Sequence, residues 1–156
     1  MTGRHRKGWS AMHIEIDEGI RSLLILEDEM IVAMLMEELV RSLGVRDVYI
    51  CTETREALDL LATRAIDCAV LDLWVRDGTS MAVADALADR GIPFLFSSGS
   101  AAEALGERHA RRPMISKPFL DDDFKLIVLD TWTLAQSQHA AEGHSSSRVA
   151  PFGATD

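Results

Sequence analysis

The chain has 156 residues, a length that fits one domain with tails. Its 47% apolar content is that of an ordinary globular protein and excludes wholesale disorder. With 16 Lys+Arg against 25 Asp+Glu, the net charge of −9 excludes nucleic-acid binding through a general basic surface.

The opening segment, MTGRHRKGWSAMHIEIDEG, is basic but lacks the apolar core of a signal peptide. Residues 1–20 read as an N-terminal extension, and Ile14–Asp17 is too short to assign. The longest apolar run, Met30–Met36, is far short of a membrane span. A cytoplasmic protein is expected, with neither membrane nor nucleic acid as partner. Cys51 and Cys68 lie in apolar runs and read as buried free thiols.

Leu23–Leu26 is a continuous apolar run, as a buried parallel strand should be, and it leads into Glu27-Asp28-Glu29. A helix follows, with Ile31, Leu35, Leu39 and Leu43 spaced along one face and Gly44 as its stop. Val48–Cys51 is a second strand, and Ala57, Leu58, Leu61 and Ala62 stripe the next helix. Ala69–Leu73 is a third strand, apolar until Asp72 near its end. Ser80 to about Arg90 is a helix closed by Gly91, and Pro93–Phe96 is a fourth strand. Ala101–His109 is a short helix, interrupted by Gly106 and poor in large apolar anchors. Met114–Ser116 is a fifth strand. Asp121 caps a last helix whose buried face is expected at Phe124, Ile127, Val128 and Leu134. From Gln138 to Asp156 the chain is rich in small and polar residues and reads as a flexible tail, leaving 21–137 for the domain.

Strict alternation of five strands and five helices predicts an α/β fold: a doubly wound parallel sheet with right-handed crossovers. In such a sheet the ligand crevice lies at the carboxyl ends of the strands. Those ends carry Glu27 and Asp28, then Asp72, Ser98, and Lys117 before Pro118. Singly, each has an ordinary explanation: helix cap, turn former or solvated lysine. Their convergence on one edge does not. Three clustered carboxylates call for a hard divalent cation, and Mg²⁺ suits best because it keeps waters and accepts phosphate oxygens. A carboxylate nucleophile beside it can form an aspartyl phosphate. The cation, Lys117, Ser98 and nearby backbone N–H groups then cover the phosphoryl oxygens.

The segments LLILEDE, AVLDLWVRDG, PFLFSSG and SKPF, within residues 20 to 137, resemble the response-regulator receiver family. The resemblance implies a flavodoxin-like (βα)5 sheet of strand order 2-1-3-4-5. It implies Asp72 as phosphoacceptor and a Mg²⁺ site of Glu27, Asp28, Asp72 and the Trp74 carbonyl. Ser98 becomes the switch hydroxyl, Lys117 the phosphate-sensing lysine and Pro118 a candidate cis-proline. The fourth and fifth strand segments look closest to a stand-alone alphaproteobacterial subset, whose fourth strand usually reads Pro-Phe-x-Phe-Ala-Thr-Gly-Tyr. Ser98 for Thr keeps the hydroxyl. Ser100 for Tyr, and Met114 where many receivers carry a switch aromatic, remove aromatics. Implied partners are a sensor histidine kinase or histidine phosphotransfer protein, an unidentified protein target, and a second copy through the fourth helix, fifth strand and fifth helix. The expected function is a single-domain regulator that acts by phosphorylation-controlled binding and not as an enzyme. A phosphate sink or relay, and a constitutive pseudo-receiver, are the alternatives.

Overall fold

The structure is a computed structural model and describes residues 19–99 and 105–145. The chain runs β1 (Ser22–Leu26), α1 (Met30–Ser42), β2 (Asp47–Cys51), α2 (Thr54–Thr63), β3 (Cys68–Asp72), β4 (Trp74–Val75), β5 (Gly78–Thr79), α3 (Met81–Asp89), β6 (Phe94–Ser98), α4 (Gly106–His109), β7 (Met114–Ser116) and α5 (Asp121–Ser145). The main sheet has the order β2-β1-β3-β6-β7, with every neighbouring pair parallel. This is the expected 2-1-3-4-5 order, because β4 and β5 form a separate antiparallel pair.

β1, β3 and β6 are buried along their whole length, which is why they read as unbroken apolar runs. Alternate residues serve opposite layers. Leu24, Leu26, Leu71, Phe94 and Phe96 pack with α2 and α3. Leu23, Ile25, Val70 and Leu95 pack with α1 and α5. Each fully buried side chain of this kind contributes roughly 1.5–3 kcal/mol, so burial against the sheet dominates over helix propensity. Both cysteines are free and buried, and burial pushes the Cys51 thiol up to about 11 and the Cys68 thiol up to about 12.

Four local expectations are corrected. In α1 the buried face is Ala33, Met36, Leu39 and Val40, while Ile31 is 86% exposed and Leu35 is at the surface. The segment Met30–Met36 is apolar all round, so periodicity there could not choose a face. The second correction is the hairpin β4–β5, which has no counterpart in the expected elements. It turns at Arg76-Asp77, Gly78 follows at φ +126°, and Asp77 accepts hydrogen bonds from the Thr54 and Arg55 amides at the start of α2.

The third concerns the expected helix over Ala101–His109. Residues 101–104 lie outside the described residues, and Gly106, at φ +64°, begins α4 rather than interrupting it. The fourth concerns α5. Leu134 is 60% exposed, and Thr131 takes a buried place beside Phe124 and Val128. Asp121 is the first helical residue, not the cap; the Leu120 carbonyl accepts from the Phe124 amide. The helix continues through Ser145, into the segment read as tail from Gln138. Residues 1–18 and 146–156, which hold the rest of the N-terminal extension and tail, lie outside the described residues, as does Ser100.

Candidate functional site

The parallel strands deliver the singled-out side chains to one edge. β1 ends just before Glu27 and Asp28, β3 ends on Asp72, β6 ends on Ser98, and Lys117 follows β7. Ligand oxygens of Glu27, Asp28 and Asp72 all lie within 4.8 Å of one another. Lys117 Nζ donates to Glu27 Oε2 at 3.0 Å and to Asp72 Oδ2 at 3.1 Å. Its position is fixed from the backbone, since the Lys117 amide donates to the Ser98 carbonyl at 2.8 Å. The Lys117–Pro118 peptide bond is cis.

Glu27 is fully buried, and its second oxygen accepts the Glu29 amide at 3.1 Å. Asp72 is nearly buried and accepts the Trp74 amide at 3.4 Å. Burial raises the Glu27 carboxyl above its ordinary range, opposed by Lys117 and the Glu29 amide and reinforced by Asp72. Burial also works against the Lys117 charge, but its hydrogen bonds to Glu27 and Asp72 outweigh that and hold the ammonium above the usual lysine range. The result is three carboxylates against one firmly protonated lysine. Asp28 takes part in no ion pair among the described residues. A cluster two charges short of neutral, with oxygen donors only, fits a hard divalent cation.

The cluster opens into a cleft of about 690 Å³. Asp28, Asp72, Ser98 and Lys117 form its polar side, and Leu35, Trp74 and Phe119 its apolar side. Met114, half-buried, pairs with Phe96 in the sheet and packs against the α2–α3 layer. Thus Glu27, Asp28, Asp72, Trp74, Ser98 and Lys117 converge, while Met114 belongs to the core.

Two further residues escaped sequence reasoning. Asp77 ties the Trp74 hairpin to α2 and is held below the usual carboxylate range by hydrogen bonds from Thr54; its signal was an Asp followed by Gly, where the turn closes into β5. His109 is buried against Phe94 and Phe96 and bonded to Asp85 Oδ1 at 2.7 Å. No local pattern distinguishes it from a surface histidine.

The fold and this carboxylate-lined edge define a receiver-type domain. No family model matches the chain. It is 34% identical to SdrG from Sphingomonas melonis Fr1, with a TM-score of 0.64 over 73% of this chain and 97% of SdrG. It is 27% identical to the response regulator PhyR from Brucella abortus, with a TM-score of 0.71 over 86% of this chain and 58% of that one. It is also 29% identical over 128 residues to the phyllosphere-induced regulator PhyR of Methylorubrum extorquens, covering 80% of this chain and 48% of that protein. The chain therefore spans about half the length of that curated relative. The chain belongs to the response-regulator receiver family of two-component signalling. No helix among the described residues is long and apolar enough to cross a membrane.

Proposed function

We propose that the chain accepts a phosphoryl group on Asp72 from a phosphorylated histidine of a kinase or phosphotransfer protein, and signals by changing its protein contacts. The observation that carries this reading is Lys117 bridging Glu27 and Asp72 beside Asp28, which has no ion-pair partner among the described residues. The Asp72 carboxylate is the nucleophile, with Lys117 as its ion-pair partner. An Asp72 carboxylate oxygen attacks phosphorus as the phosphorus–nitrogen bond to histidine breaks. Lys117 then neutralises one phosphoryl oxygen and the Ser98 hydroxyl donates to another. Glu27, Asp28, Asp72 and the Trp74 carbonyl would hold Mg²⁺, which supplies charge neutralisation for the transferred group.

A protein phosphodonor is supported by the rim of the cleft. Trp74 at the cleft, Met30, Ile31 and Met34 on the adjoining α1, and Leu120 next in the chain to Phe119 are large, apolar and exposed, more than a small-molecule donor requires. Phosphotransfer from a panel of phosphorylated histidine kinases and phosphotransfer proteins tests the proposal. Labelling should require Mg²⁺ and should be lost in Asp72→Asn. Undiminished labelling of Asp72→Asn would overturn the assignment, and failure of every donor would favour the constitutive binding module.

A further inference from the structure

At the end of the sheet opposite Asp72 lies a second cleft, of about 450 Å³. Its floor is formed where β6 and β7 begin, by Ile92, Phe94 and Pro113. α4 and the turn after it supply Arg108, Arg111 and Arg112. The far wall is α5, from Thr131 to Glu142, and so includes the turns that extend beyond Gln138. Leu134, which the core leaves 60% exposed, lines this cleft.

The arginines stand out on a chain of net charge −9. Arg108 is committed to Asp85 and Asp89. Arg111 and Arg112 pair with no carboxylate among the described residues. Arg112 is half-buried, and its Cζ lies 4.3 Å from the centroid of the Phe94 ring. That contact offers the cation an aromatic face but no hydrogen-bond acceptor. Burial, and then the neighbouring Arg108, depress the Arg112 pKa. A desolvated guanidinium with no anion is an incomplete interaction.

We propose that this cleft binds a small organic phosphate of mononucleotide size, its phosphate on Arg111 and Arg112 and its ring on Ile92 and Leu134. Guanidinium pairs suit a phosphate dianion because their N–H donors match its oxygens two at a time. The apolar floor gives the body of the ligand a place that a bare anion would not use. The volume lies within the range of small-molecule sites, roughly 300–1,000 Å³. Glu142, on the same wall, subtracts from the positive potential and pairs with no cation among the described residues.

Amide chemical-shift titration of the whole chain tests this, without Mg²⁺ so that the Asp72 cluster repels anions. The probes are AMP, GMP, CMP and UMP, with adenosine and inorganic phosphate as controls. At least one nucleotide should shift the amides of Ile92, Phe94, Arg112 and Leu134, and should bind more tightly than either control. Arg112→Gln should weaken that binding about tenfold or more, the loss of a charge-assisted hydrogen bond. Arg111→Gln provides the same reading should Arg112→Gln fail to fold, and Glu142→Gln should tighten binding. No shift with any nucleotide, or binding unaltered in both arginine variants, would overturn the site. Adenosine binding equally well would overturn the phosphate contact, and inorganic phosphate binding equally well would overturn the ring contact.

Discussion

Trp74 lies two residues beyond Asp72 and is 53% exposed, so its indole is not a core anchor. It lines the cleft, and its own amide donates to the Asp72 carboxylate. The hairpin that carries it is fixed at its turn by Asp77 on the first residues of α2. A large apolar group held at the mouth of a site restricts the approach of water to a reactive acyl phosphate. Trp74→Asn should therefore shorten the lifetime of phosphorylated Asp72 several-fold, a tenfold change corresponding to about 1.4 kcal/mol of barrier. Trp74→Phe should leave it nearly unchanged. Release of labelled phosphate from purified phosphoprotein measures both, and an unchanged or longer lifetime in Trp74→Asn would reduce Trp74 to packing.

Among the elements, α4 is the shortest helix, and its attachment is made by side chains. Leu105 and His109 are its buried anchors, and His109 and Arg108 both reach Asp85 on α3. Asp85 Oδ1 is the partner of His109 Nε2, and Nδ1 has no partner among the described residues. Asp85→Ala would remove the Nε2 partner in a buried setting, at about 1–3 kcal/mol. Hydrogen exchange should then quicken over residues 105–112 while β1 and β3 stay protected; equal exchange there in both proteins would argue that Phe94 and Phe96 alone hold α4. The sequence showed a short helix ending at His109 but not how it is attached, because four helical residues give no periodicity from which to read Leu105 and His109 as its buried side. The strands were legible for the opposite reason. β1, β3 and β6 are buried on both faces, so Leu23–Leu26, Ala69–Leu71 and Phe94–Phe96 could hardly be anything but apolar runs. The end of α5 shows a third case. Gln138–Gly143 carries no apolar stripe to read, although its Ala, Gln and Glu are good helix formers.

Over the whole molecule, parallel topology gathers acidic residues that the chain keeps far apart. Asp72 and Lys117 were legible as a pair because each ends or follows a predicted strand, but the bridge from Lys117 to a fully buried Glu27 was not. Lys117 offsets two of the carboxylates, while Asp28 faces their repulsion at under 4.8 Å. A divalent cation binds only where the fold has assembled that cluster, so its binding free energy adds to stability. At a hundred times the dissociation constant the gain is about 2.7 kcal/mol. For a chain of this size that raises the melting temperature by roughly 5–10 °C. Melts in Mg²⁺ and in EDTA measure the difference. Asp28→Asn separates metal binding from simple charge relief. In EDTA it should melt at or above the wild-type temperature, because it removes a repelling charge that has no ion-pair partner among the described residues. In Mg²⁺ it should gain little, because it removes a ligand. A full Mg²⁺ shift retained in Asp28→Asn would place the cation elsewhere, and a lower melting temperature of the variant in EDTA would mean that the Asp28 carboxylate is stabilised by contacts other than a metal.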